Sequence, residues 1–322
     1  MRNTTMKSFH GLTRAVLNIT GRGKLSILIY HRVLAVADGL FPDVPHAGTF
    51  DERMSWVAAT LNVIPLSEAF EMLHEGRLPP RATCITFDDG YADNEEIALP
   101  ILRRHRLSAT FFVATGFLDG GRMWNDTIIE AIRRAPGTTL DLELLGLGKH
   151  AIGDETSRRA TIDEIIGRLK YLPPNTRQMH VDALAHAIGN DLPHNLMMRS
   201  EQVRTLHSSG MSIGGHTVTH PILARIDDAE ARSEIRAGRE ALESILGSRV
   251  NLFAYPNGKP GTDYGHGHVT MVRELGFTAA LSTRAGAADA SSDRYQLPRF
   301  TPWGNTARRF GIGLARNHLG HY

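Results

Sequence analysis

Two adjacent carboxylates, Asp88 and Asp89, end an apolar, β-branched stretch, Ala82–Phe87, and are followed by a glycine. The stretch predicts a buried strand, so both acids lie at its carboxyl end. In parallel α/β sheets and barrels, ligands bind at that edge. Because consecutive side chains point different ways, we expect one carboxylate on a metal and the other free to move a proton. The same residues also favour an ordinary surface turn.

A pair of histidines four residues apart, His216 and His220, follows the short run Met211–Gly215. Both rings can reach one ion if the backbone turns helically between them. With Asp89 they would form a set of two histidines and one carboxylate with open positions, as in catalytic metal sites. Any one of the sixteen histidines, taken singly, fits a structural or surface role. The two motifs together favour a metal site.

A third histidine, His31, follows the apolar run Leu25–Tyr30, which predicts the first strand. This position suits an active-site group, and equally a residue that caps a loop.

The elements that must position these residues alternate between strand and helix along most of the chain, which predicts a parallel sheet or barrel. Beyond the strands already named, extended segments are predicted at Asn62–Pro65, Ser108–Val113, Asn251–Tyr255, Thr278–Leu281 and Tyr295–Phe300.

The alternation stops between about residues 125 and 199, where helical patterns dominate. We interpret this segment as an inserted helical cap, because it interrupts one architecture and contributes no complete motif. Residues 1–24 are expected to be a short helical or disordered lead, and residues 25–322 a single catalytic domain. Four histidines of the cap are expected at the surface: His150, His180, His186 and His194.

The composition is that of an ordinary globular protein and argues against some classes of function. The 322 residues are 42% hydrophobic and 22% charged, as in ordinary globular proteins. A formal charge of +2 does not argue for nucleic-acid binding. The single cysteine, Cys84, lies inside the predicted strand and is expected to be a small core residue. Since neither a secretion signal nor a membrane span is evident, we expect a cytoplasmic protein, whose oligomeric state the sequence leaves open.

Three segments carry a family resemblance: TFDDGYADN at Thr86–Asn94, HTVTH at His216–His220 and FAYPNG at Phe253–Gly258. They resemble the polysaccharide deacetylase family, also called the NodB-homology or carbohydrate esterase 4 group, over about residues 25–300. The resemblance is to the exopolysaccharide-modifying branch rather than the peptidoglycan branch. It implies a distorted (β/α) barrel of the NodB type with the inserted helical cap.

The same resemblance implies an activity and a ligand set. Asp89, His216 and His220 would bind a divalent metal, zinc first, with nickel or cobalt as other choices. Asp88 would be the general base, and the backbone amide of Asn257 would stabilise the oxyanion. The substrate would be an N-acetylated glycan or glycan precursor.

Two family features are missing from the chain. The arginine of an Arg-x-Pro-x-Gly motif corresponds to Ala254, and the late Leu-x-His motif has no histidine in Ala279–Arg284. We therefore expect His31 to supply the general acid, since related deacetylases carry a similar YHxV segment. We expect Arg299 to replace the missing arginine.

Other functions fit parts of the pattern. A catalytically weak glycan-binding module would explain the missing motifs, an O-acetyl esterase would use the same chemistry, and iron oxygenases share the ligand set. Those oxygenases normally have β-sandwich folds, whereas this chain alternates strand and helix. Three aromatic residues are candidates for stacking on sugar rings, although packing is the commoner fate of such residues: Tyr91, Trp124 and Trp303.

Overall fold

The computed structural model describes residue 11 and residues 13–189, 191–302 and 306–321. Trp303 and residues 1–10 of the predicted lead lie outside these residues. Within the lead, residues 13–20 are helical. Among the described residues, no helix combines the length and apolar character needed to cross a bilayer.

Parallel strands form the centre of the molecule. Their bounds are β1 Ser26–Tyr30, β2 Asn62–Val63, β3 Ala82–Phe87, β4 Thr110–Val113, β7 Ser212–Gly215, β8 Leu252–Ala254, β9 Ala279–Ala285 and β10 Leu297–Arg299. They lie in the order β1-β3-β4-β7-β8-β9-β10, with β2 paired to the first residues of β3. The strands are short and largely buried, as expected for parallel strands covered on both faces.

The sheet curves back on itself where its last strand meets its first. Beyond the end of β10, the Phe300 amide donates to the Ile27 carbonyl at 2.7 Å, and the Ile29 amide donates to the Phe300 carbonyl at 3.1 Å. The result is the distorted (β/α) barrel that the sequence predicts, with the carboxyl ends of its strands at one rim.

Helices surround the barrel and connect its strands. They are Ala47–Thr60, Leu66–His74, Leu99–Arg104, Trp124–Arg134, Glu155–Leu169, Pro174–Ile188, Ser200–Ser208, Asp228–Leu246, His266–Glu274 and Ala307–His318. A π-helical turn, Asn94–Ala98, precedes the third of these helices.

The predicted cap has its own hydrophobic core, built from the helices between Trp124 and Ile188. It also contains an antiparallel hairpin that the helical patterns did not predict, β5 Thr139–Leu142 and β6 Gly148–Ala151. The surface prediction for His150 is wrong. On β6, alternate side chains face the cap core, and the ring of His150 is buried there and donates from Nε2 to the Leu147 carbonyl at 2.8 Å.

Cys84 is buried in β3, as expected for a small core residue. Burial raises the pKa of its thiol, which keeps the thiol neutral and unreactive.

Candidate metal centre and catalytic pair

The predicted site residues meet at one rim because each follows, or ends, a barrel strand. His31 follows β1, the acid pair follows β3, His216 follows β7 and Asn257 lies in the loop after β8. One cavity of about 280 Å³ is lined by His31, Asp88, Asp89, His216, His220 and Asn257.

Three side chains form a compact donor triangle. The Oδ1 atom of Asp89 lies 3.4 Å from Nε2 of His216 and 3.4 Å from Nε2 of His220. The two Nε2 atoms are 3.1 Å apart. A tetrahedral zinc ion with bonds of about 2.0–2.1 Å has ligand atoms roughly 3.4 Å from one another. The three side chains therefore fit such an ion.

The hydrogen bond of His216 and the burial of His220 each favour a ring whose Nε2 atom can bind an ion at the centre of this triangle. The Nδ1 atom of His216 lies 2.7 Å from the Ala254 carbonyl, which only accepts hydrogen bonds, so Nδ1 carries the proton and Nε2 is free to bind. Burial is the main cause that lowers the pKa of His220 to about 3, so this ring is neutral at physiological pH. For His216, burial alone would lower the pKa, but the hydrogen bond to Asp89 and the charges of both acids outweigh burial and raise the pKa. Neutral imidazoles are the form that binds metals.

The backbone between the two histidines is not helical, which corrects the sequence expectation. Thr217 and His220 both have left-handed conformations, with φ of 66° and 53°. This conformation is costly for a β-branched residue, so surrounding contacts must impose it. The two rings reach one point through this irregular turn.

A glutamate on the helix Asp228–Leu246 stabilises the turn. Glu234 accepts hydrogen bonds from the Val218 and Thr219 amides, each at 2.8 Å, and from the Thr219 hydroxyl at 2.8 Å. On the same helix, a Cβ atom added to Gly238 would lie 2.7 Å from the Thr217 carbonyl carbon. Neither role is predictable from the sequence, because this helix carries mixed charges like any solvated helix.

Asp88 is held by a different partner from Asp89. Its two carboxylate oxygens each accept a hydrogen bond of 2.7 Å from the guanidinium of Arg299, and both residues are buried. Nε of Arg299 donates to the Ser282 carbonyl at 2.9 Å, which fixes the orientation of the guanidinium plane. Burial alone would raise the pKa of Asp88, but the charges of Arg299 and His216 outweigh it and hold the pKa below its ordinary value.

The remaining two predicted residues face the same cavity. His31 is exposed there, and its backbone carbonyl accepts a hydrogen bond of 2.8 Å from the Asn94 side chain. Asn257 has a left-handed backbone, φ 58°, and its carbonyl accepts from the Thr283 hydroxyl at 2.7 Å. No acceptor among the described residues takes the Asn257 amide proton.

Two of the aromatic candidates are also placed. Trp124 is half-buried, lines the cavity and packs against the guanidinium of Arg177 at 4.7 Å. Tyr91 is buried, with its hydroxyl donating to Asp126 at 3.1 Å. Asp126 is an acid that sequence reasoning missed, because only its burial distinguishes it from other helical acids.

The chain resembles known proteins over most of its length. The family model described as polysaccharide deacetylase matches residues 75–138 and 170–280. Among curated proteins, YxkH of Bacillus subtilis, which is named as a polysaccharide deacetylase, is 21% identical over 289 residues, covering 89% of this chain and 74% of that protein.

Solved structures share the fold. The Streptococcus pyogenes deacetylase PplD in complex with acetate has a TM-score of 0.61 at 18% identity, covering 92% of this chain and 98% of that one. IcaB from Ammonifex degensii has a TM-score of 0.57 at 19% identity, covering 91% and 97%. Since the family model matches more than half of the chain and includes both the Asp-Asp and the His-His motifs, the chain belongs to the polysaccharide deacetylase family.

Proposed function

We propose that this protein is a metal-dependent hydrolase that removes N-acetyl groups from a glycan or glycan precursor. The observation that carries the proposal is the pairing of two separate devices in one cavity: a donor triangle that fits a divalent ion, and a second carboxylate held ionised by Arg299. A protein that only binds glycans has no need of the second device.

Asp89, His216 and His220 would hold the ion, with zinc the best fit to two imidazoles and one carboxylate. Such an ion lowers the pKa of water and polarises a carbonyl oxygen.

Residues of the chain then accept and donate the protons and stabilise the negative charge that forms. Asp88 accepts the proton of the attacking water as the water oxygen bonds to the acetyl carbon. The Asn257 amide donates to the oxyanion that forms from the carbonyl oxygen. When the carbon–nitrogen bond breaks, His31 gives a proton to the leaving amine, and acetate and the free amine are the products. The PplD structure, which contains acetate, is similar over nearly the whole chain.

The test is acetate release from N-acetylglucosamine oligomers by the purified protein. We expect release that a chelator abolishes and added zinc restores, and that Asp88→Asn abolishes irrespective of zinc. Asp163→Asn, which makes the same change on the exposed face of a cap helix, is the control and should retain full activity. Zinc binding without acetate release would contradict the proposal, and release only from acetate esters would replace it with an O-acetyl esterase.

A further inference from the structure

A second cavity, of about 410 Å³, adjoins the first one. Both are lined by His31, Asp89 and Asn125, so a molecule in one can extend into the other. The second cavity lies between the chain segment 34–45 and the helix Trp124–Arg134. Its volume is in the range of small-molecule sites, and its far wall is apolar: Leu34, Phe41, Val44 and Pro45.

Asp126 lies in the wall of this second cavity, in the first turn of its helix. The side chain is buried, with the residue only 3% exposed. Oδ1 accepts the hydrogen bond from Tyr91, but the buried Oδ2 has no partner among the described residues. Buried polar atoms are normally paired, so an unpaired oxygen in a cavity wall calls for a ligand.

Two other carboxylates that line this cavity already have cationic partners: Asp38 pairs with Arg133 at 2.6 Å, and Asp43 pairs with Arg159 at 3.2 Å. The cavity's Arg32 is paired as well, with Asp93 at 2.8 Å. Oδ2 of Asp126 therefore has unused hydrogen-bonding capacity.

The charges around Asp126 suit a neutral partner. Burial, with Asp89 and Glu130 nearby, raises the pKa of Asp126 to about 7, although Arg32 and the Tyr91 hydroxyl oppose the rise. Near neutral pH the carboxyl group therefore exists in both forms, and Oδ2 can donate or accept. A hydroxyl group is the complement of such a site, because it also does both.

We propose that the second cavity binds the sugar ring next to the acetylated group, and that Asp126 hydrogen-bonds a hydroxyl of that ring. The inference rests on the proposed function, and it makes Asp126 a determinant of saccharide specificity.

Asp126→Ala tests this directly, since the space it leaves admits a water molecule to pair with Tyr91. KM for an N-acetylglucosamine tetramer should rise about tenfold, as expected for one buried hydrogen bond, with a smaller change in kcat. Phenyl acetate has no sugar ring that could enter the second cavity. The ratio of kcat/KM for the tetramer to kcat/KM for phenyl acetate should therefore fall about tenfold. Asp126→Asn, which keeps part of the hydrogen bonding, should raise KM by only two- to threefold.

Equal losses on tetramer and ester, or an unchanged KM, would overturn the proposal and leave a water molecule as the partner of Oδ2. If Asp126→Ala does not fold, the asparagine variant decides alone, because its two- to threefold rise in KM for the tetramer should not appear with phenyl acetate. Asp163→Leu, on the exposed face of a cap helix, is the charge-matched control.

Calorimetric binding of the tetramer separates this inference from the proposed function. The experiment uses Asp88→Asn protein with zinc, which needs no turnover. Asp126→Ala in that background should weaken binding about tenfold even if the wild type releases no acetate. Equal affinity with and without the Asp126 side chain, or no binding of the tetramer, would overturn the inference.

Discussion

Asp88 and Asp89 are neighbours in sequence but have opposite surroundings. Asp89 faces two imidazole rings and adopts a left-handed backbone, φ 76°, that turns its side chain toward them. Asp88 faces the rigid fork of Arg299. Removing one partner of a buried ion pair leaves an uncompensated charge and costs about 3–5 kcal/mol.

Arg299→Ala should therefore lower kcat for deacetylation by about 10²-fold or more, since the buried Asp88 carboxylate loses its partner and its pKa rises. The free energy of unfolding should fall by about 3–5 kcal/mol. Zinc content, measured by mass spectrometry, should stay at the wild-type level, because Arg299 does not contact the donor triangle.

Arg299→Lys is the matched control. It keeps the charge but not the two parallel hydrogen bonds, so it should recover stability more than rate. Loss of zinc from the folded Arg299→Ala protein would refute the separation of the two devices.

Among the elements, the helix Asp228–Leu246 matters most to the site, because it sets the turn that carries both histidines. Glu234 fixes the turn by hydrogen bonds, and Gly238 lets the helix backbone approach it.

Gly238→Ala should weaken zinc binding, because the added methyl group would push Thr217, which lies between the ligands His216 and His220. We expect the zinc Kd to rise about 10–100-fold, as for other changes just outside a ligand set. The measurement is competition with a chromophoric chelator.

Gly167→Ala, in the cap helix Glu155–Leu169, is the matched control, since nothing lies within 4 Å of the added methyl group. It should leave zinc affinity unchanged and increase stability by up to about 1 kcal/mol. Equal zinc affinity in both variants would show that the turn does not depend on the helix.

The strands could be predicted from the sequence because each is marked by its own residues, whereas the turns depend on contacts with distant parts of the chain. Continuous apolar runs such as Ala82–Phe87 identify strands, and the rim follows from their parallel order. Arg299 could be predicted because Ala254 occupies the position where the family has an arginine, so another arginine is expected to replace it. The left-handed Thr217 and the buried Asp126 depend on contacts with distant segments, and neither leaves a local pattern. The structure gives the positions of the site residues, whereas the metal-binding roles of Asp89, His216 and His220 and the catalytic roles of the other site residues remain predictions: Asp88, Arg299, His31 and Asn257.

At the scale of the whole molecule, the last helix is joined to the first strand through a buried histidine. His318 lies 2.8 Å from the Ser26 hydroxyl and 3.1 Å from the Thr20 hydroxyl, and its carbonyl accepts from Lys24. Burial, with the charge of Lys24, lowers the pKa of His318 to about 4.

This pKa predicts acid sensitivity. The folded protein keeps His318 neutral, whereas the unfolded chain takes up the proton near pH 6.5, so stability falls as the pH drops from 6.5 toward 4. From pH 7 to pH 4.5, wild type should lose roughly 2 kcal/mol more unfolding free energy than His318→Gln, measured by urea denaturation. His186→Gln, at an exposed site, should behave as wild type. Identical pH slopes for wild type and His318→Gln would exclude this role.

The late position of Arg299 in the chain has a consequence for biosynthesis. A ribosome releases Asp89, His216 and His220, and with them a complete set of metal donors, well before it adds the residue that pairs with Asp88. Until then Asp88 has no counter-charge and the sheet has a free edge at β1. Nascent or truncated chains that end before β10 should therefore be able to capture zinc while remaining open and inactive, so that metal loading can precede the completion of the enzyme.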